Sequence, residues 1–261
     1  MEIKDISKER PTIFLMNKLT AILSAVLLLC TSCAEQYNIA GNSTMSCLDG
    51  RMLYLRVTPE GVSQKLEASS ICIDSCEVVH GRFNFVGDVD STMMVMMFTQ
   101  NQCVMPIVIE DGNLNIQVDN AGQRVTGGPL NEKLYKFFRK HNRIENEMWQ
   151  IQQQTMRMMR AGQRPESIHR KFGKKVEKLT RESEELETKF VMDNYDNVLG
   201  PGFFMLLCNQ YPTPILTPQI ERIAVSATPQ FLSNPYVRNW LRQAKARKQR
   251  VTTTFNTELY Q

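Results

Sequence analysis

At Gly127-Gly128-Pro129 the hydrophobic pattern of this chain changes period, and that change constrains the fold more than any other feature. Before it, short runs alternate or are wholly apolar: Met52 to Val57, Thr92 to Phe98, Val104 to Ile109 and Leu114 to Val118. Turn residues separate them, with His80-Gly81 between Val78-Val79 and Phe83-Asn84-Phe85, and Asp111-Gly112 before Leu114. Short strands at this spacing predict an antiparallel β-sandwich or open barrel over residues 33–127. Pro106 cannot donate to a ladder, which puts its run at a sheet edge or bulge.

After the change, apolar residues recur at helical spacing. Leu130, Leu134, Phe137, Ile144, Met148, Ile151 and Met158 form one stripe, with His141 and Thr155 on its missing beats. Gly162-Gln163-Arg164-Pro165 interrupts it, and Ile168, Phe172, Val176, Leu179, Leu186 and Phe190 form a second. The prediction is a long α-helical hairpin. Thr217-Pro218 and Asn234-Pro235 each place a capping residue before a proline suited to the first helical position, so short C-terminal helices should follow. The expected class is α+β, with a helical region over 128–250 and a loose tail over 251–261.

The first 32 residues read differently. Leu19 to Cys30 is an apolar run of twelve interrupted by Thr20 and Ser24, preceded by Lys18 and followed by Thr31-Ser32-Cys33. A membrane-spanning helix needs about 20 apolar residues, whereas a signal peptide needs fewer. Small residues before Cys33 resemble a lipoprotein cleavage site, although Cys30 stands where leucine is commonest. The expectation is an exported lipoprotein, acylated on Cys33 and facing the periplasm from the outer membrane. Met16-Asn17-Lys18 makes a sufficient start for such a signal, so translation is expected to begin at Met16.

Cys30-x-x-Cys33 has redox spacing, yet one cysteine would be discarded and the other acylated. Cys47, Cys72, Cys76, Cys103 and Cys208 remain, an odd number in no zinc pattern. A Cys72–Cys76 bridge would require a turn at Asp74-Ser75, because in a strand the two Cα atoms stand about 13 Å apart. His80, His141 and His169 lie in no catalytic or metal spacing. Met93, Met94, Met96, Met97 and Met105 could offer thioethers to Cu(I), but a strand buried on both faces explains them without a metal. Glu182, Glu184, Glu185 and Glu187 read as a solvated helix face.

The net charge of +4 is too small to argue for nucleic acid. Its local excess falls at Arg242, Lys245, Arg247, Lys248 and Arg250. No enzyme motif and no cofactor is expected. Phe138, Trp149 and Met159 widen the first helical stripe beyond what one packed side needs, and form the candidate interaction surface.

Ile73-Asp74-Ser75, Gly81 to Gly87, Ile109-Glu110-Asp111-Gly112 and Thr126-Gly127-Gly128-Pro129-Leu130-Asn131 resemble domain of unknown function 4369, in order. Asp193 to Asn197 and Asn234 to Val237 resemble the helical segment that follows it. The resemblance implies an envelope lipoprotein of the kind that elsewhere continues into a thioredoxin-like reductase. Neither Trp149 nor Trp240 precedes a cysteine, so no reductase site is expected in this chain. Two functions remain in view: a non-enzymatic binding or scaffolding protein with an envelope protein partner, or an accessory to thiol-disulfide exchange.

Overall fold

The computed structural model describes residues 36–57, 71–100, 102–120 and 122–258, with side chains through residue 250. The signal segment, Cys33 and the side chains of residues 251–261 lie outside the described residues. Among the described residues eight strands come first: β1 (Gln36–Ser43), β2 (Met52–Val57), β3 (Ile71–Glu77), β4 (Arg82–Asp88), β5 (Met93–Thr99), β6 (Gln102–Ile109), β7 (Gly112–Asp119) and β8 (Gly122–Thr126). Six helices follow: α1 (Pro129–Arg160), α2 (Pro165–Met192), α3 (Leu199–Cys208), α4 (Pro218–Ser226), α5 (Pro229–Ser233) and α6 (Pro235–Glu258). The class is α+β.

The strands form two four-stranded sheets, ordered β4-β1-β7-β8 and β3-β2-β5-β6. Strict alternation buries Tyr37 and Ile39 on β1, Phe83 and Phe85 on β4, and Leu114, Ile116 and Val118 on β7. Leu53, Leu55, Val95, Met97, Met105 and Ile107 come from the other sheet into the same continuous core. The Tyr37 hydroxyl donates to Asp74 across the sheets at 3.0 Å.

One pairing departs from the antiparallel expectation. β1 and β7 run parallel, with Tyr37 beside Gly112 and Ser43 beside Val118. A parallel neighbour needs a long crossover, and β2 to β6 supply it, visiting the second sheet twice with β4 returning to the first in between. The turn at His80-Gly81 has positive φ at both residues (49° and 72°), the geometry that matches strand twist in a tight hairpin. Val79 and Arg82 bridge there, and then β3 and β4 part into different sheets.

β6 is an edge strand, as Pro106 requires, and α1 seals that edge. Asn131 is fully buried, and its amide accepts from the Val108 N–H (3.0 Å) and donates to the Val108 carbonyl (2.7 Å). The Tyr135 hydroxyl donates to the Pro106 carbonyl at 2.9 Å. A side chain thus pairs with the strand as a further strand would.

α3 is apolar all round, and two glycines let it sit deep. A Cβ on Gly200 would lie 2.2 Å from the Asn194 carbonyl oxygen, and one on Gly202 would lie 2.5 Å from the Met94 sulfur. Phe203 joins Phe137 and Phe190 at the base of α1 and α2, while Phe204 packs on Phe231 and Trp240. Thr217 and Thr228 cap α4 and α5 by accepting from Ile220 N and Phe231 N, and Asn234 accepts from Tyr236 N. α6 runs to Glu258, into the segment expected as a loose tail from residue 251, and no Gly or Pro follows Pro235 to stop it.

Candidate functional site

α1 spans 32 residues, about 48 Å at helical rise. Its first turns enter the main core through Leu134, Tyr135 and Phe137. Arg139, Asn142, Arg143, Asn146 and Gln150 then pass the β7–β8 turn, lining a polar groove with Asp119 and Gly122. Along this length α1 also packs against α2. The two helices share a separate thin core of Ile144, Ile151 and Leu179, flanked by Met148, Phe172 and Val176. His141 to Glu187 (2.8 Å), Arg143 to Glu182 (2.8 Å) and Lys175 to Glu147 (3.3 Å) tie them together. The distal half of the hairpin is therefore an arm with its own seam.

The three residues predicted to form a surface do not stay together. Phe138 is half-buried, with its ring 5.6 Å from Tyr135, 5.4 Å from Phe137 and 6.3 Å from Phe203. It belongs to the joint between arm and body, and is removed from the candidate surface for that reason. Trp149 is 60 % exposed and Met159 55 % exposed. Met156, also exposed, lies two turns beyond Trp149 on the same face and was missed. At 100° per residue, Trp149 points roughly 140–160° away from Ile144 and Ile151, so the seam has no packing use for it.

Sequence reading also missed where the charge sits. Residues 152–180 carry eight Lys/Arg against Glu166 and Glu177, whereas the rest of the hairpin is balanced. All eight are exposed. A count by segment, rather than along the whole chain, would have found them.

The methionines divide between two faces. Met97 and Met105 are buried inside the sandwich. Met93, Met94 and Met96 line an apolar groove of about 430 Å³ under α3, with Met205 and Leu206 opposite. The five thioethers therefore do not share one face. Among the described residues no group of three or more His, Cys, Asp or Glu could hold a metal ion.

Cys72 and Cys76 lie on one extended strand, β3, so the turn needed to bridge them is missing. Burial pushes the Cys76 thiol up to about 11, and pushes Cys103 and Cys208 up as well. A raised thiol is neutral, and unreactive, below its own value. Alkylation of Cys76 by iodoacetamide at pH 8 should thus be far slower than that of a free thiol and should rise towards pH 11. Purified residues 34–261 should not accelerate reduction of a model disulfide. Turnover that vanishes with Cys72→Ser or Cys76→Ser would contradict this.

The sequence motifs at the two glycine-rich joints turn out to be one structure. Gly127 and Gly128 both have positive φ, and a Cβ on Gly128 would lie 2.3 Å from the Glu110 carboxylate. Glu110, buried to 6 % exposure, accepts from Leu130 N (3.2 Å), Asn131 N (2.9 Å) and the Asn131 amide (2.7 Å). It fills the role of a helix cap from a distant strand, at the positive end of the helix dipole. Residues 37–134 match the family model for a domain of unknown function, DUF4369.

This segment is similar to the DUF4369 family. The match takes in all eight strands and the Glu110–Asn131 joint, which makes the shared motif a device for fixing α1 to the sheet. It ends at Leu134, so the DUF4369 match includes neither the arm nor the later helical segments that resemblance had suggested. No curated protein matches the chain.

Proposed function

We propose that this protein is an exported envelope lipoprotein, held by acyl chains on Cys33 at the outer membrane and facing the periplasm. Its role in this reading is non-enzymatic: it binds an envelope protein through the arm formed by α1 and α2. The observation that carries the reading is Trp149, exposed with Met156 and Met159 on a helix whose opposite side is already packed. Exposed tryptophan and methionine on a stable element are characteristic of binding faces.

The anchoring half is supported by the apolar run from Leu19 and the small residues before Cys33. Among the described residues no helix is long and apolar enough to cross a membrane. Cys33→Ala should abolish processing or release the mature protein from the envelope, since two or more acyl chains at about 0.8 kcal/mol per buried CH₂ supply the attachment. Fractionation and metabolic acyl labelling read the outcome. A mutant that stays processed and needs detergent for extraction would defeat the anchoring half. The binding half requires that loss of Trp149 cost the arm its partner and not its fold.

A further inference from the structure

The charge on the arm indicates what kind of partner it takes. Residues 152–180 concentrate eight Lys/Arg in a chain whose whole net charge is +4. Arg170 and Lys174, Lys171 and Lys175, and Lys174 and Lys178 are like-charge pairs at i,i+4, and each such pair destabilises the helix that bears it. Among the described residues, Lys175 alone of the eight has an ion pair, with Glu147. Lys171 also reaches the Met158 sulfur across the hairpin at 4.0 Å and lies over the Phe172 ring, but among the described residues the other six side chains make no polar contact that holds the arm together. On α1, Arg157 and Arg160 flank the face that carries Trp149 and Met156, which places apolar anchors among unpaired positive charge.

We infer that the arm docks an acidic protein surface, with Lys and Arg steering and ion-pairing and Trp149 and Met156 providing the apolar contact. This rests on the reading of the arm as a binding face. An anionic lipid surface shares the charge, but the loop that would enter it first, Ala161-Gly162-Gln163-Arg164, has no large apolar side chain to insert. Methionine suits a protein surface better, because its flexible thioether adapts to uneven contours. Opposite charges across the contact would speed encounter and make affinity fall with salt.

The test uses the full mature chain and two probes: a random glutamate–tyrosine copolymer, and vesicles of phosphatidylglycerol with phosphatidylcholine. Arg170→Glu/Lys171→Glu/Lys174→Glu should weaken copolymer binding roughly tenfold or more, and Trp149→Ala should weaken it several-fold. Reversing Arg242 and Arg247 on α6 is the control and should change it by less than about twofold. The same three arm positions changed to Gln supply a milder variant, with circular dichroism confirming the fold in each. Equal losses from arm and control, or no loss from the arm, would overturn the inference. So would arm-dependent vesicle binding stronger than copolymer binding, which would make the partner a membrane. If Trp149→Ala releases the native partner while charge reversal leaves it bound, the binding role stands and the acidic class is overturned.

Discussion

Asn131→Ala should destabilise the folded protein by roughly 3–5 kcal/mol, the largest effect expected of any single polar truncation in this chain. Asn131 is fully buried and satisfies both backbone groups of Val108 on the β6 edge, while its second amide hydrogen reaches Glu110. Removing it strands a buried N–H and a buried carbonyl where no water replaces the amide, each at about 1–3 kcal/mol. Glu110 loses one of three donors as well. In a chain of this size about 2–4 °C is lost per kcal/mol, so the melting temperature should fall on the order of 10 °C. Asn113→Ala, which removes an exposed side-chain pair with Asn38, should cost under about 1 kcal/mol. Similar melting temperatures for the two variants would mean that the Gly-Gly-Pro-Leu-Asn joint does not fix the arm to the sheet.

Trp149→Ala should do the reverse: leave stability alone and remove the partner. An exposed side chain outside any seam changes stability by about 0.5 kcal/mol or less, which is under about 2 °C here. A tryptophan at the centre of an interface contributes about 2 kcal/mol or more to binding, some 30-fold in affinity. Phe138→Ala supplies the contrast. Its ring is packed among Tyr135, Phe137 and Phe203, so truncation should cost about 3 kcal/mol or more through the cavity it leaves. Calorimetry on the three proteins separates the roles. A drop of several degrees for Trp149→Ala would make that residue part of the core.

The hairpin and the capped C-terminal helices were legible because each rests on a local rule. The apolar stripe recurs every three or four residues, Gly162 to Pro165 interrupts it, and Thr217 and Asn234 stand directly before prolines. α3 was illegible for a physical reason. Apolar on all sides, it has no polar face to reveal a period, and Gly200-Pro201-Gly202 reads as a breaker until the close approach to Asn194 and Met94 explains it. β1 was hidden in a similar way, since its third inward position is Gly41, over which the Phe83 ring lies. The parallel pairing of β1 with β7 depends on residues some 75 apart, beyond any local signal. At the candidate surface, helical spacing separated Trp149 from the seam, but it could not distinguish Phe138, covered by α3, from a residue left in solvent.

In-cell photocrosslinking tests whether the arm, and not the sandwich, meets another protein. A photoreactive phenylalanine analogue replaces Gln153, one helical turn from Trp149, in the full chain; a second chain carries it at Val225, an exposed residue on α4. Position 153 should give a discrete protein adduct that Trp149→Ala abolishes, and position 225 should give none. Equal adducts from both positions, or no adduct from 153 in a chain shown to be folded and envelope-bound, would contradict it.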